Sequence, residues 1–345
     1  MSEQKGKQSI EFKNKPAILS TACICGHKEV EGPMSDYFDK FYEDDMFGAD
    51  TWEKAESALQ EKTVKLCLEK GKLSESDIRY MFAGDLMGQL IASTFGLINY
   101  NIPLFGIYGA CSTVGEALSL ASMTVSAGYA DRVLAVASSH FASAEKTFRF
   151  PLEYGNQRPF SATWTVTGCG AFVVGNGEKT FSKDEIYGRI AGITTGQIVD
   201  FGVKDSMNMG ACMAPAAATV IEANLKDFGY TVEEYDKIIT GDLGYVGQKI
   251  LIDLLKSVGI DISKKHMDCG IEIYDSETQD THAGGSGCGC SASILSGYIL
   301  KKIKSGQWKR VLFVPTGALL STVSFNEGQT VPGIAHGVII EHSDI

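Results

Sequence analysis

Apolar residues in this chain fall in short runs that stop at glycine, and the runs come in two similar series. "RYMFAGDLMGQ" (79–89) matches "KIITGDLGYVGQ" (237–248): an apolar strand, then Gly-Asp-Leu, then a turn, with Asp85 against Asp242. "SAGYADRVLAVASS" (126–139) matches "KSGQWKRVLFVPTG" (304–317), each a helical run, a glycine and a buried Arg-Val-Leu-x-Val strand. "GCGAFVVGNG" (168–177) matches "AHGVIIEHS" (335–343), a strand closing each half. The offsets differ, so loops vary while the architecture repeats. Each half reads helix, strand, helix, strand, strand, which predicts an α/β fold with helices covering mixed sheets. The halves are expected at 1–180 and 181–345, meeting in "EKTFSKDEIYG" (178–188), packed about a pseudo-twofold axis.

The run "LFGIYGACSTVGEALSLAS" (104–122) breaks from strand to helix at Cys111. Thr113 and Glu116 have capping-box spacing. Val114, Ala117, Leu118, Ala121 and Val125 follow at three- and four-residue intervals, and Leu120, Met123 and Ala127 are also small or apolar. The pattern predicts a helix buried all round. Cys111 and Ser112 then sit at its positive end, where free N–H groups favour a thiolate or another anion. A tight strand-to-helix turn that needs a small residue accounts for the cysteine equally well.

Composition narrows the role. The 345 residues are 44% hydrophobic and 21% charged, as in a folded globular chain able to bury a large core. A net charge of -11 and a pI near 5.1 argue against nucleic acid and against simple electrostatic adhesion to an anionic bilayer. No apolar run reaches membrane-spanning length, and the N-terminus lacks a signal-peptide pattern, so the chain is expected to be made and kept inside a cell. Nine scattered cysteines do not suggest a disulfide framework; Cys23/Cys25 and Cys288/Cys290 are C-x-C pairs, a weak zinc signal.

A duplicated α/β unit with a cysteine opening a buried central helix resembles the thiolase superfamily, which includes thiolases and ketoacyl synthases. Within it, "MFAGDL", "GACST", "ASSHFASAEKTFRFPLEYG", "MAPAAA", "TGDLG", "HAGGSGCGCSA" and "PTGALLS" resemble the stage V sporulation protein AD branch of spore-forming bacteria, from about residue 7 to 342. The resemblance implies a five-layered αβαβα fold with two mixed sheets. It also implies a non-catalytic subunit of the SpoVA complex of the spore inner membrane, needed to load dipicolinic acid into the forming spore. That subunit would bind dipicolinate or its calcium complex and contact the SpoVA membrane subunits. It would be made in the cytoplasm and held peripherally at the forespore membrane by its partners. No cofactor is implied, apart from calcium accompanying the ligand. Superfamily members commonly form homodimers through a sheet edge.

Acyl-transferring members pair the cysteine with His and a second His, or with His and Asn, from the second half. Here Asp242 or its neighbour stands where the His is expected, Ser286 is the best match for the Asn, and no histidine lies in 241–265. Carboxylate beside thiol raises the thiol pKa and cannot act as a neutral imidazole. The condensing constellation is therefore broken unless His140 or His336 enters the pocket. His140 directly follows a strand, where such folds place sites; His336, in a closing strand, also reads as an interior histidine. His27, His266, His282 and His342 lie in polar or terminal stretches and read as solvated.

A flat aromatic dianion calls for cations, N–H donors and an aromatic wall. Residues 141–160 supply Lys146, Arg149 and Arg158 among Phe148, Phe150, Tyr154 and Phe160. The same cations also fit a structural loop in which they pair with Glu145 and Glu153. Asp85, Gln89 and Asp242 are the oxygens offered to an accompanying calcium. Two other roles stay open: an active acyl-CoA condensing or hydrolysing enzyme, and a purely architectural subunit.

Overall fold

The computed structural model describes residues 3–148, 157–177 and 185–344. In the first half, β1 (Ala17–Cys25) leads through α1 (Trp52–Gly71) to β2 (Tyr80–Gly84), β3 (Leu104–Gly106) and α2 (Thr113–Ser126). β4 (Arg132–Ser139), α3 (Phe141–Phe148) and β5 (Gly168–Gly175) complete it. The second half runs β6 (Gly188–Thr194), α4 (Met209–Phe228), β7 (Lys237–Thr240), α5 (Gly244–Ser257), β8 (His266–Asp268), α6 (Cys288–Ile294), β9 (Arg310–Val314) and β10 (Gly337–Glu341).

The repeat is visible in the strand order. Outward from the junction of the halves, one side reads β1-β5-β4-β2-β3 and the other β6-β10-β9-β7-β8. In both, the three outer strands are parallel, and the two nearest the junction pair antiparallel. The two five-stranded series run on into each other. Gly188 and Arg189 of β6 pair with Ile18 and Ala17 of β1, joining them edge to edge. β3 is the opposite, free edge, with all three residues exposed.

Helices fill the layers. α1 covers the outer face of the first sheet, α4 lies against the second with α5 packed on it, and α2 and α6 lie between the sheets. Strands covered on both faces need apolar residues at every position rather than at alternate ones. All nine residues of β1 and seven of eight in β4 are accordingly buried. Each large side chain buried this way contributes about 1.5–3 kcal/mol.

The central helix α2 differs from expectation in two respects. Its N-cap is Ser112, and no capping box forms. The Thr113 hydroxyl instead donates to the Ala110 carbonyl (2.6 Å) and accepts from the Gly109 N–H (3.2 Å), pinning the turn that carries Cys111. Its last turn reaches the surface, leaving Met123 and Ala127 exposed. The expected inter-half segment falls partly outside the described residues, at 178–184.

Candidate functional site

Cys111 lies at the turn into α2, 6% exposed, beside the start of α6 from the other half. Ala110 before it has φ of 49°, an unusual backbone for a residue with a side chain. The Cys111 Sγ lies 3.8 Å from the Ser286 Oγ. The Ser286 hydroxyl donates to Asp242 Oδ2 (2.9 Å), the Gly287 N–H to the same oxygen (3.2 Å), and the Thr316 hydroxyl to Oδ1 (2.8 Å). Gly287 holds φ of 103°, which needs glycine, and this turn delivers its N–H to the carboxylate. Residues far apart in sequence thus converge as a thiol, a hydroxyl and a carboxylate.

The electrostatics oppose a reactive thiol. Burial pushes the Cys111 thiol well above its ordinary value, and the Asp242 charge and Cys288 add to the rise. Burial likewise raises Asp242 to about 6, against the hydrogen bond from Thr316 and contact with Cys111. Stabilisation from a helix N-terminus is worth at most about 2 kcal/mol, too little to offset full desolvation beside a carboxylate.

A chamber of about 30 Å³ opens at the thiol, with room for roughly one water. Its polar lining is Tyr108, Cys111, Glu145, Thr165 and Ser286; no histidine, lysine or arginine is among its described lining residues. Outside it lies a vestibule of about 380 Å³ reaching Gln89, Ser321 and Thr322. Leu86, Tyr108, Phe148 and Leu320 line both spaces and form an apolar collar between them.

Several residues singled out by sequence do not face this space. Asp85 is fully buried and serves its own loop: Oδ1 accepts from Met87 N (2.9 Å), and Oδ2 from Ser93 N (2.9 Å) and Oγ (2.7 Å). Ser112 donates to the Gly109 carbonyl (2.7 Å) as a turn residue. His140 is 2% exposed, bonds the Asp45 carbonyl through Nε2 (2.8 Å), and is kept neutral by burial. His336 accepts from the Gly196 N–H through Nδ1 (3.3 Å) and is lowered to about 4 by burial. Neither histidine is among the described residues that line the chamber. His266 is not the solvated residue its polar stretch suggested; it lies between Thr240 Oγ1 (2.9 Å) and Gln248 Nε2 (3.1 Å).

The expected cations are engaged elsewhere. Lys146 pairs with Glu53 (2.8 Å) and Arg158 with Asp280 (2.8 Å), beside the Trp164 ring. Arg149 lies outside the described residues, as do Phe150, Glu153 and Tyr154. Gln89 is exposed at the vestibule rim, where sequence placed it near the site. Thr316, Thr165, Leu86, Leu320 and Met209 were missed. Thr316 and Leu320 lie in the quoted string "PTGALLS", but nothing in it marks them as facing Asp242 or the collar.

The buried network beneath the site carries a pH prediction. Glu56 accepts from Ser138 (2.8 Å) and Ser143 (2.8 Å), and burial plus the nearby Asp85 charge raise its pKa. A carboxyl with a raised folded pKa keeps its proton where the unfolded chain has lost it. Stability therefore falls as pH rises from the ordinary carboxylate range towards the raised value. Glu56→Gln should flatten this decline and be more stable than wild type at pH 9 by about 1–3 kcal/mol. Urea unfolding at pH 6 and pH 9 tests it; an unchanged pH slope in the variant is the contrary result.

Comparison with other proteins agrees with this fold. By fold, the chain is similar to 3-oxoacyl-[acyl-carrier-protein] synthase III of Aquifex aeolicus (TM-score 0.56, 14% identity, 94% of this chain and 99% of that one). It is also similar to OleA of Xanthomonas campestris (TM-score 0.62, 14% identity, 96% and 98%). By sequence, it is 41% identical over 338 residues to stage V sporulation protein AD of Bacillus subtilis, covering 98% of both chains. The sequence profile of the family described as Stage V sporulation protein AD matches residues 6–341, spanning both halves and the Cys111, Asp242 and Ser286 positions. On a thiolase-like fold whose thiol faces a carboxylate, and matched along almost its whole length, the chain belongs to the stage V sporulation protein AD family.

Proposed function

We propose that this sporulation protein is a non-catalytic ligand-binding subunit that takes up dipicolinate, free or as its calcium chelate, in the vestibule above Cys111. It would act within the SpoVA complex at the spore inner membrane, held there by membrane subunits. The observation that carries this reading is the Cys111–Ser286–Asp242 arrangement, in which a carboxylate occupies the place an activating imidazole needs. An acyl-transfer cradle with its base removed keeps a cavity without keeping the chemistry. The vestibule is large enough for a small planar acid and is walled by Tyr108 and Phe148, with Gln89, Ser321 and Thr322 as neutral polar groups. Lys146 and Arg158 are paired elsewhere, so a calcium ion travelling with the acid would offset the ligand's charge.

Titration calorimetry with dipicolinate, with and without calcium, tests the reading. Wild type should bind, and Tyr108→Ala should bind about tenfold or more weakly through loss of the aromatic wall. No heat with wild type at millimolar ligand ends the proposal. In parallel, incubation with short acyl-CoAs should leave the mass of the intact protein unchanged. An adduct on Cys111 would favour the acyl-transfer alternative.

A further inference from the structure

Ile198, Phe201 and Val323 are each 67% exposed, and Phe325 (37%) and Phe160 (89%) are carried on loops that adjoin theirs. Single exposed apolar residues are ordinary, whereas several on adjoining loops mark an interaction surface. The loops are tied to one another. Val199 exchanges both backbone hydrogen bonds with Gly333 (2.9 and 2.7 Å), and the Val331 N–H donates to the Val203 carbonyl (2.8 Å). The Thr330 hydroxyl donates to Asp200 Oδ2 (2.6 Å). Ser321 caps the short helix Thr322–Asn326, and the Gln329 N–H returns to the Ser324 carbonyl (3.0 Å). Phe160 lies in a turn closed by the Ala162 N–H on the Pro159 carbonyl (3.0 Å), and Ser161 donates to the Met207 carbonyl (3.2 Å). A slack loop can fold an apolar side chain inward; these segments are fixed with theirs in water.

We infer that this apolar rim docks a partner protein's segment whose apolar face is bordered by lysine or arginine. The charge of the loops selects that occupant. Residues 197–208 and 321–331 hold Asp200, Asp205 and Glu327 against Lys204, and all four are exposed. The Thr330 hydroxyl and the Gly202 N–H hold the Asp200 carboxyl below its ordinary range, so it stays charged. Near Phe160, Asp280 is offset by Arg158 (2.8 Å). The stretch 149–156, outside the described residues, holds one arginine and one glutamate and brings no net charge. A second copy of the chain would set acid against acid, and so would an anionic bilayer. Leu320, Ser321 and Thr322 line the vestibule and Val323 follows them directly, so the occupant would border its mouth. The surface does not depend on what the vestibule binds.

Fluorescence anisotropy of a labelled amphipathic helical peptide of leucine and lysine tests the inference. Wild type should bind it, and the triple variant Ile198→Ser, Phe201→Ser, Val323→Ser should bind about tenfold or more weakly. A matching peptide of leucine and glutamate should bind wild type about tenfold or more weakly than the lysine peptide. A control altered at exposed apolar residues elsewhere, Tyr129→Ser and Val258→Ser, should keep wild-type binding. All the altered positions are exposed, so both variants should keep the wild-type urea midpoint. Equal binding of the lysine peptide by the triple variant and wild type overturns the inference, as does failure of wild type to bind or equal binding of the two peptides. Flotation with phosphatidylcholine or phosphatidylglycerol vesicles that the triple variant loses, without peptide binding, would overturn it in favour of a bilayer. A dimer that the triple variant loses, again without peptide binding, would overturn it in favour of a second copy.

Discussion

In the native protein none of the nine thiols should react quickly with an aromatic disulfide reagent at about pH 7.5, and all nine should react once the chain is unfolded. All nine cysteines are free and buried. Cys111 is the demanding case, because it sits at a helix start and lines the chamber. The reacting species is the thiolate, and three effects suppress it here: desolvation, the Asp242 charge and the nearby Cys288. Its rate should be at least about a hundredfold below that of an exposed cysteine. Asp242→Asn removes the charge but leaves the burial, so it should raise the rate while keeping Cys111 slower than an exposed thiol. A fast-reacting thiol mapped by mass spectrometry to Cys111 in wild type would contradict the non-catalytic reading at its root.

Asp268→Ala should destabilise the fold by about 3–5 kcal/mol, the largest loss expected from a single polar substitution here. Asp268 is 1% exposed and its two oxygens accept four hydrogen bonds. Oδ2 takes Thr240 Oγ1 (2.6 Å) and Leu243 N (2.9 Å), and Oδ1 takes Gly244 N (3.0 Å) and Ile271 N (3.2 Å). Alanine would leave three backbone N–H groups without this partner, and each buried donor left unpaired costs about 1–3 kcal/mol. The same carboxylate closes the β7–α5 turn that carries Asp242, so the site should loosen with the fold. Asp261→Ala is the control: Asp261 accepts from Ser263 N (2.9 Å) in an exposed loop, and its loss should cost under about 0.5 kcal/mol. Equal urea midpoints for the two variants would remove the assigned role of Asp268.

Much of the architecture was legible because both signals it rests on are local or repeated. Glycine-bounded runs such as "RVLAVASS" and "RVLFVPTG" mark strands wherever they occur, and their recurrence predicts the mirrored strand order. The pairing of Cys111 with Asp242 and Ser286 was legible only through resemblance, since no local spacing links residues so distant in sequence. The residues that sequence placed at the site and the fold turned away from the chamber have one thing in common. Asp85, His140 and Arg158 are residue types that do chemistry when exposed to a pocket and satisfy the backbone or a neighbouring charge when turned away from it. Sequence records the type, not the direction.

Composition, repeat and glycine punctuation by themselves determined a duplicated α/β chain with a cysteine at the head of a central helix, because these depend on side-chain chemistry and short-range periodicity. Only the tertiary structure decided that the thiol lines a chamber shared at its mouth with Leu86, Tyr108, Phe148 and Leu320 and faces a hydroxyl held by a carboxylate. It alone showed that Lys302 and Lys304 lie near the rings of Tyr37 and Tyr187, from distant segments. Burial and electrostatic partnership arise from which distant segments meet, and that is settled by packing the two halves against each other.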